Sequence, residues 1–261
     1  MQNNSQLYPP IYKRIYSVWF RHLRVYSKNL ISNGFPPFLE PIIFLTAIGL
    51  GFSNIILEMN GLPYIKFLAS GLLITTAMFT ASFECTYGTF IRLEFDKIYD
   101  GMISSPISVS DLIIGEILWA GTKGIFFSSA VFLVFSIMGI FSPFLFFAVP
   151  FAGLLAGLIF GSIGLFVTSF VKDINQFNFY FTGFISPMFF FSGVVFSLKN
   201  LPGFLQIFAE VLPLTHIVRF IRGMLFHYSP KLIALDLLYI FIVIFLFSAF
   251  AIKRLGKRLI N

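Results

Sequence analysis

An all-α integral membrane fold of six spans is the class this sequence predicts, and three observations carry it. Of its 261 residues, 57% are hydrophobic and only 11% charged, against about a quarter charged in soluble chains. The mean hydropathy is strongly positive, +0.90. The apolar residues fall into long runs, each near the ~20 residues that cross ~30 Å of hydrocarbon. This leaves no room for a separate soluble domain, so residues 1–261 read as one transmembrane domain. The excess of 18 Lys and Arg over 11 Asp and Glu would suggest nucleic acid in a soluble protein. Here most basic residues flank spans, where orientation and anionic headgroups account for them and make membrane lipids, not nucleic acid, the expected partner.

The first element is an amphipathic helix over residues 8–33. On a helical wheel, Ile11, Ile15, Val18, Trp19, Tyr26 and Leu30 share one side, and Lys13, Arg14, Arg21, Arg24 and Lys28 the other, the pattern of a helix in the membrane interface. These basic residues precede no compact apolar core with a small-residue end, so a cleaved signal peptide is not expected. Pro36, Pro37 and Pro41 then end the helix and open the first span. Spans are expected at 37–57, 65–91, 112–139, 144–171, 177–198 and 231–252. Placing both termini inside puts twelve Lys and Arg in cytoplasmic segments and five outside, with Lys123 within a span, which favours that orientation. Cys85, the single cysteine, reads as a small buried hydrophobe and offers neither a disulfide nor a thiolate metal site.

Between the second and third spans, residues 92–111 form a cytoplasmic elbow bearing Arg92, Glu94, Asp96, Lys97, Asp100 and Asp111. Interleaved signs suit docking into another protein better than binding headgroups. Ionisable residues inside spans cost about 2.5–3.5 kcal/mol each, so Glu84, Glu116, Lys123 and Asp236 need partners or water. A structural pair such as Glu84 with Lys123, and a place on a translocation path, are both open. In the fourth span Gly153, Gly157 and Gly161, with Gly164 one turn on, make a smooth face for close contact within the chain or between copies. Phe177, Phe179, Tyr180, Phe181 and Phe184 crowd the fifth span; Tyr180 and Phe184 are candidates for an aromatic path, against lipid-facing filler. Residues 199–230 are too polar and proline-rich for an ordinary crossing, yet too apolar for a solvated loop. They read as a re-entrant helical hairpin on the outer side, beside a cavity or interface that satisfies its backbone. Its gate candidates are Pro202, Glu210, Pro213, Arg219 and Arg222. The two arginines, one turn apart, call for an anion between them, and outer-leaflet phosphates are the expected one, whether for gating or for anchoring.

Catalytic signatures are missing. Gly256-Lys257 lacks the upstream glycine and following hydroxyl residue of a phosphate loop, so ATP is not expected to bind here. There is no His-Glu-x-x-His, no Cys/His cluster and no Gly-x-Ser-x-Gly elbow, and His22, His216 and His227 are scattered, so no catalytic residue and no metal site is expected. A lipid-modifying membrane enzyme and an ion-driven secondary carrier are the alternatives. The first lacks a constellation, since no Ala-Arg pair follows Asp96, Asp100 and Gly101; the second rests on Glu84 alone.

Two runs carry a family likeness. One is Phe83-Glu84-Cys85-Thr86-Tyr87-Gly88-Thr89-Phe90-Ile91-Arg92, then Asp100 to Ser108, then Gly115-Glu116; the other is Leu201-Pro202 through Glu210, Leu212-Pro213-Leu214-Thr215, Arg219 and Arg222-Gly223. Together they resemble the membrane subunits of ABC type 2 exporters, most closely the permeases that export nodulation lipo-oligosaccharide and their polysaccharide and drug-export relatives. The likeness covers nearly the whole chain. It implies that the elbow is a coupling helix docked in a cytoplasmic ABC ATPase subunit, with a smaller contact around Lys172, Asp173 and Asn175. It further implies two ATPase copies holding ATP and Mg, a homodimer of this chain, and the bacterial inner membrane with both termini cytoplasmic. The hairpin would lie at the outer mouth of the conduit. This chain itself would hold no cofactor and catalyse no reaction. Lipo-oligosaccharide, lipid-linked polysaccharide, lipid and drug all stay open as cargo.

Overall fold

A backbone in hydrocarbon must satisfy its own polar groups, and this chain does so with helices. The computed structural model describes residues 9–53, 55–226 and 230–260. Residue 8 of the expected interface helix, and His227 with 228–229 of the expected hairpin, lie outside them. Helix α1 (Ile11–Lys28) is followed by α2 (Leu30–Ser53). Then Asn60 and Gly61, both with positive φ (54° and 76°), turn β1 (Glu58–Met59) antiparallel onto β2 (Leu62–Pro63), as two-residue hairpins favour. Helix α3 (Tyr64–Phe95) leads to the short α4 (Ile98–Ile103), then α5 (Val109–Ile137) and α6 (Pro143–Thr168). Helix α7 (residues 177–191) follows, then α8 (Gly203–Val211), α9 (Pro213–Phe226) and α10 (Pro230–Ile260).

Among the described residues five helices, α2, α3, α5, α6 and α10, are long and apolar enough to cross a membrane, and α8 with α9 forms a pair bent by 87°. This is the expected all-α membrane class, with three differences in detail. Pro36, Pro37 and Pro41 lie inside α2 instead of opening a span; the chain bends earlier, at Asn29 (φ −126°). Proline is tolerated inside transmembrane helices, and further along the same helix widens into a π turn at Leu45–Leu50. The expected fifth span, 177–198, stops being helical after Phe191. At 1.5 Å per residue, α7 is about 22 Å long, short of the full hydrocarbon width. Helix α3 runs past 91 to Phe95, which places Arg92 and Glu94 on its last turns and starts the elbow proper at Asp96.

The core is the trio α3, α5 and α6. Helix α3 is buried nearly all round through Phe67, Leu68, Leu72, Leu73, Ala77 and Ala81, whereas α10 leaves Leu235, Leu238, Phe241 and Phe245 exposed, as a lipid-facing helix does. The glycines of α6 face inward, so their smooth face is spent within the chain. A Cβ on Gly153 would stand 2.1 Å from Ser128 Oγ and 2.6 Å from the Gly124 carbonyl oxygen, and one on Gly157 only 2.4 Å from the Ala120 oxygen. On the same face, a Cβ on Gly161 or Gly164 would meet Ala120 or Cys85 at 2.7 and 3.0 Å. Small residues let the α5 and α6 backbones touch, and dispersion along that seam replaces the hydrophobic drive that lipid does not supply.

Helix α1 lies lengthwise along the first turns of α5. Arg14 Nε pairs with Asp111 Oδ2 at 3.2 Å, Val18 fills the notch left by Gly115, Trp19 Nε1 donates to Thr122 Oγ1 at 2.8 Å, and Tyr26 packs edge-on against Trp119. The contacts climb both helices in the same direction. The outward side of α1 keeps Ile11, Tyr12, Tyr16 and Phe20 exposed.

Candidate functional site

Six ionisable side chains from four helices meet in the interior. Arg92 bridges two carboxylates, with NH1 2.7 Å from Glu84 Oε1 and NH2 2.8 Å from Glu116 Oε2. Lys123 Nζ lies 2.9 Å from Glu84 Oε2, the structural pair that the sequence left open. His22 Nε2 from α1 lies 3.0 Å from Glu116 Oε1, and the Tyr99 hydroxyl of α4 donates to the same oxygen. Burial and the Glu116 carboxylate hold the Tyr99 phenol well above the usual tyrosine range, so it stays a proton donor. Two carboxylates against Arg92 and Lys123 balance, which is what permits such a cluster in low dielectric. Among the described residues, His22, Glu84 and Glu116 alone have ligand atoms spaced for a metal ion. Arg92 and Lys123 already occupy their oxygens, so a further cation would meet repulsion.

This cluster closes one end of a groove of about 800 Å³ between α1, α2, α3, α5 and α7. Phe44, Phe79, Phe83, Phe189 and Phe190 wall the groove, and Arg21, Arg92 and Lys123 line it together with Glu40, Glu84 and Asp96, Tyr26 beside them. The Tyr26 oxygen is buried with no hydrogen-bond partner among the described residues, and burial with the nearby Glu84 charge pushes its phenol up to about 12. An apolar trough with one polar, charge-balanced end suits an amphiphile.

The elbow is tied to the same cluster. Lys97, in a left-handed conformation (φ 52°) uncommon for a residue with a side chain, turns the chain into α4, where Tyr99 reaches inward to Glu116. Ser108 and Asp111 then form a capping box that starts α5, two orphan amides satisfied reciprocally. At the far end, α9 is fixed on two sides. Arg222 is buried and donates to the carbonyl oxygens of Gly193, Val194 and Phe67 and to Ser70 Oγ. Arg219 pairs with Asp236 of α10 at 2.6 Å and with Glu210 of α8 at 2.8 Å. His216 lies 2.8 Å from Asp236 and stacks on Tyr239.

Residues 13–226 match the ABC-2 type transporter family. This chain belongs to that family. It is 33% identical to Nodulation protein J of Sinorhizobium fredii over 207 residues, 79% of each chain. Over 241 residues it is 30% identical to Nodulation protein J of Bradyrhizobium diazoefficiens, covering 91% of this chain and 92% of that one. It is 23% identical to the Inner membrane transport permease YadH of Escherichia coli over 248 residues, 93% and 95% of the two chains.

In this ABC-2 family member the expected site residues divide by direction. Asp96, Lys97 and Asp100 are exposed on the elbow. Arg92 and Asp111 turn inward into ion pairs, and Glu94 holds Arg258 at 2.8 Å, so these three act inside the fold. Glu84 and Lys123 line the groove, but Glu116 is sealed behind it, and Tyr180 and Phe184 stack on each other outside its lining. Pro202 and Pro213 start α8 and α9, and Glu210 pairs with Arg219. No phosphate is needed between Arg219 and Arg222, because protein carboxylates and carbonyls already take both. Reading the sequence missed Tyr99, His22, Tyr26 and the phenylalanines of α2 and α3. Phe79 and Phe83, one turn apart, were the available signal.

Proposed function

We propose that this chain is the membrane subunit of an ATP-driven exporter in the bacterial inner membrane, with both termini cytoplasmic. It pairs with a second copy and with two ATPase subunits to move an amphipathic substrate. Its relatives are named as transport permeases or nodulation proteins, and family members of this kind work with ATP-binding subunits. The observation that carries the reading is the phenylalanine-walled groove whose charged end is wired to the elbow. A push on α4 moves Tyr99, Tyr99 is bonded to Glu116, and Glu116 shares Arg92 with Glu84 at the groove. The groove would take the acyl or other apolar part of the cargo, and its balanced charged end a polar head. A lipo-oligosaccharide, a lipid-linked glycan and a hydrophobic drug all fit that description.

The test uses the complex. The purified chain alone should hydrolyse no ATP, and co-expression with its ATPase should yield a complex that does. Reversing the exposed Asp100 to lysine should cut ATPase recovery in a pull-down several-fold while membrane insertion stays normal, since its carboxylate has no ionic partner to lose among the described residues. Unchanged recovery would move the docking surface off the elbow. The orientation is tested separately. Because Cys85 is fully buried, cysteines placed at Leu205 and Phe208 of α8 give a clean signal, and an impermeant thiol reagent should label them from outside whole cells. Labelling only after the cytoplasm is opened would invert the topology.

A further inference from the structure

Helix α10 leaves Phe241, Phe245 and Phe250 exposed, yet Ala251 and Leu255 are buried, and Arg258 beyond them reaches across to two other helix ends. Its NH1 donates to the Thr168 oxygen at 2.8 Å and to the Val171 oxygen at 2.7 Å, while NH2 donates to Glu94 Oε1 at 2.8 Å. The Thr168 carbonyl needs this donor. The amides of Ser169 and Phe170 close onto Leu165, Phe166 and Val167, which leaves the Thr168 oxygen without a backbone donor among the described residues, the kind of orphan at a helix end that an arginine caps. On the other side, Glu94 also pairs with Lys97 at 3.5 Å, the left-handed residue from which α4 starts. One guanidinium thus joins the elbow to the segment that follows α6.

That segment is itself folded tightly. Asn175 N donates to Asp173 Oδ1 at 2.8 Å and Lys172 N to Gln176 Oε1 at 3.0 Å, which leaves the side chains of Lys172, Asp173 and Asn175 exposed. Next to Arg258, Phe90, Val171 and Phe177 form a small apolar cluster apart from the main core, Phe90 edge-on to Phe177 at 5.6 Å, and it packs α3, this segment and α7 together. Arg254 stands 3.8 Å over the Phe170 ring and steadies the end of α10 there. A planar fork can serve a carboxylate and two carbonyls at once; an ammonium in the same place cannot.

We propose that Arg258 is a positioning residue that fixes the α4 elbow and the 172–176 turn to each other, so that a cytoplasmic partner meets them as one rigid platform. That the partner is an ATPase rests on the export reading; the joining of the two segments does not.

Hydrogen–deuterium exchange is read on the full chain in phosphatidylcholine nanodiscs. Arg258→Gln should speed exchange in both 96–103 and 172–176 by about tenfold, whereas Glu94→Gln, which cuts one arm, should speed 96–103 alone. Adding Glu94→Gln to Arg258→Gln should change little further, because that arm is already cut. Lys257→Gln, at an exposed neighbouring position, should exchange like the wild type. The ABC ATPase that co-purifies with the wild type is then titrated back onto each variant. Its half-saturating concentration should rise several-fold for Arg258→Gln with kcat at saturation unchanged, whereas a misfolded fraction would lower kcat and leave the midpoint in place. An elbow that exchanges as in the wild type would reduce Arg258 to a cap on α6, and an unmoved midpoint would remove the platform; either overturns the assignment. If no ATPase co-purifies with the wild type, the export reading fails, and exchange alone decides whether Arg258 joins the two segments.

Discussion

Glu116→Ala should destabilise the protein by about 3–5 kcal/mol, the cost of stranding a buried charge. It should show as early loss of the monodisperse peak when the detergent-solubilised protein is heated. Glu116 is fully buried and holds Arg92, His22 and Tyr99 at once; without it, Arg92 and Lys123 share one carboxylate and the interior carries an uncompensated positive charge. The sharper half of the test is rescue. Removing a matched pair, Glu84→Leu with Lys123→Met, should cost much less than Glu84→Leu alone, because well-packed apolar replacements of a whole buried pair are often neutral. Lys97→Ala is the control: its 3.5 Å pair with Glu94 is solvent-exposed, worth at most about 1 kcal/mol. If Glu116→Ala heats like the wild type, the cluster is not buried from water as described.

Gly124→Ala should be worse tolerated than its size suggests. A Cβ there would lie 2.2 Å from the Gly153 carbonyl oxygen and 3.1 Å from its carbon, and backbone cannot rotate aside as a side chain can. Overpacking commonly costs about 1–3 kcal/mol, and a backbone obstacle puts this site at the upper end, with α5 and α6 forced apart. Folded yield in the membrane should fall sharply. Gly183→Ala on α7, where a Cβ would meet nothing within 4 Å, should be neutral or slightly stabilising through helix propensity. Equal yields for both variants would mean that the seam is looser than its geometry.

The fold class was legible because hydrocarbon imposes one solution on long apolar runs, and composition reports those runs directly. The elbow was legible too, since Asp96, Lys97 and Asp100 interrupt the apolar text. The inward turn of Arg92 and Asp111 was not. Their partners Glu84, Glu116 and Arg14 come from other turns or other helices, and periodicity names a face without naming what covers it. His22 falls between Ile11 and Ile15 on the apolar side of α1, so a wheel gives its face but not Glu116 as its partner. Arg222 is the instructive miss: two arginines one turn apart imply an anion only if water and protein leave them wanting, and backbone carbonyls of Phe67, Gly193 and Val194 are invisible in a sequence. The prolines of α2 misled for a related reason. A transmembrane helix can keep prolines inside it, and α2 keeps all three.

The π turn of α2 has counterparts. Widened turns with one surplus residue occur at Leu45–Leu50, Glu84–Gly88, Ile91–Phe95 and Phe181–Ile185, all in α2, α3 and α7, three of the five helices around the groove; among the described residues α5, α6 and α10 have none. Passing such a surplus along a helix by one position turns the residue it passes by about 100° without breaking the coil. The slack in this molecule is therefore lodged on one side, next to the phenylalanines, and the glycine seam has none to give. Any widening of the groove that leaves the seam shut has to be taken up as ratcheting within these three walls, with the α5–α6 pair as the fixed keel.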